Sequence, residues 1–426
     1  MRKTSGLVSH RRRMPAALAL LLAGTAVAVG PAFANAAAAA AQSTPAHPLR
    51  SAGGVLLPGG FFGTHATGLD QVDEIVEAAD RALRGAGVRA GIGAMMQHTI
   101  YVKNGALNPL DVLNRFHAVA RRLAPSLKAQ PSVGTILRVP GFENARTVVG
   151  LDLAAAPDGA ASGLARVLFK FGPQEIGQSI ATDRLVFSAG LEAMDFEHGT
   201  LVPTIEQQVD VVTDKLVHTL KDAGVSVDHM VSHNLYVAKG TDPLKVAQLF
   251  QASLHAKLPE LAAAQSVGTL VVVDGMAAPD FMLEMDALAT RGDPASARRI
   301  PYEPALPVSK AVAVDGLVLT SSIDALSQPG ESSMPKGAKA QAVVVARRVA
   351  EALKAAGGSA SNLIKIKLYV KAGNDLPAVR AAFAAALRAH GARNPAFTVI
   401  AVEALEDPAL ECAAAALADA NPASPR

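Results

Sequence analysis

Thr99-Ile100-Tyr101-Val102-Lys103, Asn234-Leu235-Tyr236-Val237-Ala238 and Lys367-Leu368-Tyr369-Val370-Lys371 are three versions of one strand. Their tyrosines lie 135 and 133 residues apart. That period is far longer than the roughly 20–50 residues of a solenoid unit, so a whole domain is repeated. Each strand follows a helical pattern ending at glycine: Ala86-Gly87, Ala223-Gly224 and Ala356-Gly357. Each precedes a Pro-containing turn and a second helix: Asn108-Pro109-Leu110, Asp242-Pro243-Leu244 and Asp375-Leu376-Pro377. Asn or Asp before Pro is a helix-start signal, and a terminal Gly is a stop signal. Ser132-Val133-Gly134-Thr135 returns as Ser266-Val267-Gly268-Thr269.

The second copy shows the unit most fully. Gln178–Ile180, Leu185–Ser188 and Thr200–Val202 read as strands, and Val209, Val212, Leu216 and Leu220 recur at helical spacing. Val231–Val237 alternates as a half-buried strand, Leu244–Leu254 is a helix, and Val267–Val273 and Phe281–Leu288 close the unit. The expected class is α/β (α+β), with the order βββ-α-β-α-ββ three times. Copy one covers 48–160 with a shortened front end, copy two 163–292 and copy three 300–420.

Residues 1–34 form a targeting segment: Arg2, Lys3 and Arg11-Arg12-Arg13, an apolar core over Ala16–Val29, then Ala32-Phe33-Ala34. Residues 35–47 read as a linker. An uncleaved anchor is the alternative, and export through either the general or the twin-arginine route is open. Residues 1–34 carry five Lys/Arg and no acid, so their removal takes the formal charge from +3 to −2. The mature chain is therefore expected outside the cytoplasm, without a basic footprint for nucleic acid or a membrane surface. Cys412 is the only cysteine, which excludes an intrachain disulfide. His229 and His233 sit about 13 Å apart along an extended strand, which is no metal pair. No phosphate-binding glycine loop or cofactor fingerprint occurs, so no cofactor and no metal is expected.

Several segments resemble the RidA (YjgF) family of imine/enamine deaminases. Its opening segment is similar to Pro307-Val308-Ser309-Lys310-Ala311-Val312 with Asp315–Ser321, and to Gln178-Ser179-Ile180 with Arg184–Gly190. Its mid-domain strand is similar to the three tyrosine strands, and its following helix to Asp242–Phe250. Family members are homotrimers with a central barrel, outer helices and ligand clefts between subunits. The resemblance therefore implies a monomer with internal pseudo-threefold symmetry, assembled intramolecularly at high effective concentration. It also implies a small-molecule ligand, a carboxylate among the candidates, and the reaction class of 2-iminobutanoate/2-iminopropanoate deaminases, hydrolysis of a C=N bond.

The family's chemistry carries over incompletely. The carboxylate-clamping arginine falls at Pro131, Gln265 and Phe397. The opening tyrosine falls at Ile176 and Val308, and the second-helix asparagine at Leu113, Ala247 and Arg380. The acidic position of the last strand matches Glu284 (with Asp286) and Glu411, while copy one has Gly150 followed by Asp152. The resemblance thus points to Glu284 and Glu411 as water-activating acids and to Gln265, Tyr236 and Arg380 as substrate contacts. Each has a structural alternative: a barrel-lining charge for the acids, packing for the tyrosines, a solvent-facing arginine. Ser132 and Ser266 read as inter-copy contacts, and Cys412 as a buried inert thiol. Two functions stay open: a divergent exported deaminase, and a non-catalytic small-molecule-binding or structural pseudo-trimer.

Overall fold

A computed structural model describes residues 12–13, 50–64, 68–158, 164–171, 174–195, 200–259, 261, 266–303, 306–326 and 333–420. The targeting segment, apart from Arg12–Arg13, and Gln265 lie outside these residues.

Copy one comprises β1 (Arg50–Ala52), β2 (Val55–Leu57), β3 (Phe61–Phe62), α1 (Gly68–Gly85), β4 (Met95–Lys103), α2 (Pro109–Leu123), β5 (Val133–Val139) and β6 (Val149–Ala155). Copy two comprises β7 (Ala165–Phe171), β8 (Gln174–Ala181), β9 (Leu185–Ser188), β10 (Leu191–Glu192), β11 (Met194–Asp195), β12 (Thr200–Leu201), α3 (Ile205–Asp222), β13 (Met230–Ala238), α4 (Pro243–Lys257), β14 (Val267–Val273) and β15 (Leu283–Thr290). Copy three comprises β16 (Arg298–Pro301), β17 (Ser309–Val314), β18 (Leu317–Thr320), α5 (Ala338–Ala355), β19 (Leu363–Lys371), α6 (Leu376–Ala389), β20 (Ala396–Val402) and β21 (Cys412–Asp419).

The sheets run β1-β2-β6-β4-β5, β14-β13-β15-β9-β8-β7 and β16-β17-β18-β21-β19-β20. In each, the tyrosine strand lies between an antiparallel partner and a parallel one reached through the second helix. Copy three shows the expected βββ-α-β-α-ββ order. In copy two the strand at 200–201 pairs with β11 apart from the main sheet, and the strand β7 extends its edge instead.

The sequence signals act where they stand. Asn108 and Asp242 cap α2 and α4 by accepting from Leu110 and Leu244 N–H, and Asp375 caps α6 through Ala378 N–H. Gly87, Gly224 and Gly357 close the first helices at φ 88°, 81° and 90°, a left-handed turn that costs glycine least.

Two rings of equivalent backbone bonds close the three sheets around an axis. Gly190 N–H donates to Gly134 O (3.0 Å), Ser322 to Gly268 (2.9 Å) and Gly60 to Phe397 (3.0 Å). Arg138 N–H donates to Gly275 O (2.7 Å), Val272 to Ala404 (3.0 Å) and Ala401 to Gly141 (3.2 Å). Every copy thus bonds to both others, and the chain is an intramolecular pseudo-trimer.

Strand alternation divides the side chains. In β13, His233 stacks near Phe250 of the outer helix layer, while Asn234 faces the barrel with Asp286. The tyrosines share the barrel face, and all three are 0–1% exposed.

Candidate functional site

The strand registers fix which residues are equivalent. Tyr101 lies opposite Gly150, Tyr236 opposite Glu284 and Tyr369 opposite Ala413. The acidic position of copy three is therefore Ala413, a correction to the reading of Glu411. A buried glutamine confirms the shift. The side-chain carbonyls of Gln71, Gln208 and Gln341 accept from the N–H groups of Val148, Met282 and Glu411. Glu411 thus stands two residues before the acid position, and its carboxylate accepts from Asn374 instead (2.7 Å). Likewise His98 lies opposite Gly134, His233 opposite Gly268 and Ile366 opposite Phe397. Phe397 is thus three residues past the clamp position, which in copy three is Asn394.

With that register, the three inter-copy clefts are distinct. Between copies one and two, Glu284 is 5% exposed and lies against Thr135 and Gly190. A Cβ on Gly190 would come within 2.0 Å of its carboxyl oxygen, so a side chain there would displace the carboxyl. Burial, then Glu192 and Asp286, push the Glu284 carboxyl well above its usual range, although a backbone bond at Ile136 opposes them. Glu192 faces it across the β10–β15 pair and is raised by burial as well. This cleft holds carboxylic acids in sealed surroundings.

The cleft between copies three and one is filled by rings. Gly150 stands at the acid position, and a Cβ there would meet Phe62 at 2.8 Å and Phe142 at 3.1 Å. Phe62 and Phe142 pack at 5.6 Å between centroids. Arg380 lies 5.3 Å over the Phe397 ring and pairs with Glu143 at 3.4 Å. It is a cation at an inter-copy seam, already engaged by a ring and a carboxylate.

The cleft between copies two and three is open, with a cavity of about 520 Å³. Leu235, Leu244, Leu270, Leu306, Leu405 and Ala413 give it an apolar wall; Leu244 and Leu306 are 50% and 47% exposed. Its polar groups include Tyr302, Ser321, Asp324, Glu406 and His233. No Lys or Arg is among the described lining residues. His233 is lowered to about 4 by burial and is neutral. Glu406 is raised to about 8 by burial, by its bond to Asp324 and by the charges of Asp324 and Asp407.

Ser266 and Glu284 face different copies. Ser266, next to Gln265, accepts from Ser309 N–H of copy three (2.9 Å), whereas Glu284 faces copy one. Tyr236 lies in the barrel, away from the open cleft. Two features escaped the sequence reading. His98 and His233 bond to Ser132 and Ser266 at 3.1 and 2.9 Å. Both imidazoles are buried and lowered, His98 to about 3, so these pairs tie β4 to β5 and β13 to β14. The repeated glutamine of the first helices was visible in the sequence as Gln71, Gln208 and Gln341. Cys412 is fully buried and its thiol is pushed up to about 12, first by burial.

On the axis, Lys365 and Lys367 of copy three meet Asp152 of copy one; Lys367 is 3.2 Å from it. Asn234 donates to Asp286 (2.6 Å). These groups line a cavity of about 140 Å³. Burial alone would raise Asp152, but Lys365 and Lys367 outweigh it and hold the carboxyl below its usual range. Among the described residues no group of His, Cys, Asp and Glu is arranged to hold a metal, and no helix is long and apolar enough to cross a membrane.

The family model described as Endoribonuclease L-PSP matches residues 175–291 and 300–418, more than half of the chain. No curated protein matches. Among solved structures, a chorismatase is 14% identical, covering 76% of this chain and 93% of its own, with a TM-score of 0.49. The E. coli YjgF gene product is 25% identical over 29% of this chain and 99% of its own, with a TM-score of 0.27. E. coli TdcF with bound serine is 24% identical over 28% and 93%, with a TM-score of 0.25.

Proposed function

This chain belongs to the Endoribonuclease L-PSP (RidA/YjgF) family, and from that premise we propose that it binds a small molecule in the cleft between its second and third copies. It does so without the family's carboxylate clamp and without hydrolysing amino-acid-derived imines. One observation carries this reading: the groups that imine hydrolysis needs are dispersed. The open cleft has Ala413 at the acid position and no cation among its described lining residues. The acid Glu284 is sealed in another cleft, and Arg380 borders a third. Hydrolysis needs acid, clamp and substrate within one cavity. RNA cleavage, which the family description names, has little support in a cavity so poor in cations. We place the mature protein outside the cytoplasm, as a monomer, after removal of residues 1–34.

The test uses 1-anilinonaphthalene, uncharged at neutral pH and fluorescent in apolar surroundings. The chain has no tryptophan to obscure it. One probe per chain should bind. Ala247→Phe, which places a ring in the cavity, should abolish binding, and Leu113→Phe, the equivalent position in copy one, should not. Equal effects of both would sink the assignment of the cleft. Turnover of an enzymatically generated imine at the rate of an ordinary deaminase would sink the non-hydrolytic reading.

A further inference from the structure

We propose that the ligand of the open cleft is an amphipathic amine, its apolar body against the leucine wall and its ammonium at the Asp324–Glu406 pair. This rests on the assignment of that cleft as the binding site and adds the chemical class of its occupant.

The cavity has opposite ends in the chemical sense. Its wall of Leu235, Leu244, Leu270, Leu306 and Leu405 favours hydrocarbon. Leu244 and Leu306 extend that surface into solvent, as a cavity mouth that admits an apolar body would. The other end gathers carboxyl and hydroxyl groups: Asp324, Glu406, Tyr302 and Ser321. A carboxylate ligand would be desolvated there with no cation among the described lining residues to pair it. An ammonium would meet a complementary acceptor.

The charges that face Glu406 are few. Asp324 bonds to it, Asp407 adjoins it, and His233 on the opposite wall is neutral. Arg348 stands behind Asp324, donating to its carbonyl at 2.7 Å with its carboxylate at 3.8 Å. That guanidinium balances Asp324, so Glu406 is the group left to answer a ligand's charge. Without a ligand Glu406 keeps a proton at neutral pH, consistent with its value of about 8. When an ammonium arrives, the proton leaves for solvent and the carboxylate pairs with the cation. No bond other than O–H is broken, and the balance is one ammonium bound for up to one proton released.

Calorimetry with 2-phenylethylamine, 2-phenylethanol and 3-phenylpropanoate separates the possibilities, because the three share a ring and differ in charge. At pH 7 the amine should bind at least about tenfold more tightly than the acid, with the alcohol between. Its heat should vary with buffer ionisation enthalpy, reporting release of up to one proton. Its affinity should rise from pH 6 to 8, by at most about tenfold per unit, and then level off. Glu406→Gln should remove the pH dependence, the proton release and the amine's advantage over the alcohol. An acid that binds as well as the amine, or an amine preference that survives Glu406→Gln, overturns the proposal. If the alcohol binds and the amine gains nothing over it, only the amine assignment falls. If Ala247→Phe leaves all three probes bound as before, the cleft assignment falls with it.

Discussion

The barrel axis and the open cleft both bury carboxyl groups, and they neutralise them differently. On the axis, Asp152 keeps its negative charge because Lys365 and Lys367 reach it from another copy. In the cleft, no described lysine or arginine lies against the Glu406 carboxyl, and burial with Asp324 raises it to about 8, which favours a proton there. A cation on a side chain is part of the fold and stays. A proton can be exchanged for the charge of a ligand. The pseudo-threefold frame repeats its backbone bonds closely, while its polar contents have diverged: one region into a fixed ion pair, the other into a receptive site.

Removing the fixed cation should have the largest effect. Lys365→Met leaves Asp152 buried with a partner lost, and breaking a buried pair in this way costs about 3–5 kcal/mol. The midpoint of urea unfolding should fall accordingly. The double change Lys365→Met/Asp152→Leu should recover most of the loss, since an apolar replacement of both partners is often neutral. A single variant as stable as the wild type would show that the pair is exposed to solvent and that the contrast with the cleft is false.

A smaller effect, about a hundredfold in rate, is expected from supplying the open cleft with what it lacks. The clamp position of copy two is 265 and the acid position of copy three is 413, and these two copies form the cleft. Gln265→Arg with Ala413→Glu should raise imine hydrolysis about 100-fold over the wild type. A charged hydrogen bond is worth roughly 1.5–3 kcal/mol and a positioned acid or base contributes comparably. Adding Glu284→Ala should leave that gain intact, because Glu284 faces copy one. If Glu284→Ala abolishes it, the sealed cleft is the working one.

Much of the fold was legible because it rests on local signals. The tyrosine strands, the Asn/Asp caps and the terminal glycines each act within a few residues, and each appears three times. The site was less legible because it rests on register. Glu411 is an acid near the right place in an apolar segment, and only the Gln341 bond and the Tyr369–Ala413 pairing show it to be two residues early. Phe397 misled for the same reason. The Lys365–Asp152 pair spans 213 positions, and no single copy contains it. The dispersal of acid, clamp and cavity over three clefts is a property of the closed ring, to which a reading copy by copy is blind.

The smallest expected effect is on stability against pH, and it has opposite signs in the two regions. Glu406 is raised from an ordinary 4.5 to about 8, so the folded state binds its proton more tightly than the unfolded chain does. Its contribution is fully present below about pH 4.5 and is lost as pH rises through about 8. Glu406→Gln cannot ionise and should keep its stability across that window. The difference between wild type and variant should therefore grow from pH 5 to pH 8, in favour of the variant. We expect about 1 kcal/mol at pH 8, below the ceiling of roughly 1.36 kcal/mol per unit, because Glu406 is partly solvated. Asp152 is held below its usual value, so its contribution is present above about pH 4 and lost as pH falls further. Asp152→Asn should therefore lag the wild type at pH 7 and approach it in acid. Melting curves of the three proteins at pH 3.5, 5, 6.5 and 8 measure both slopes. Slopes of one sign at both sites would mean that Glu406 is already ionised at neutral pH, and the cleft would then hold a standing charge rather than an exchangeable proton.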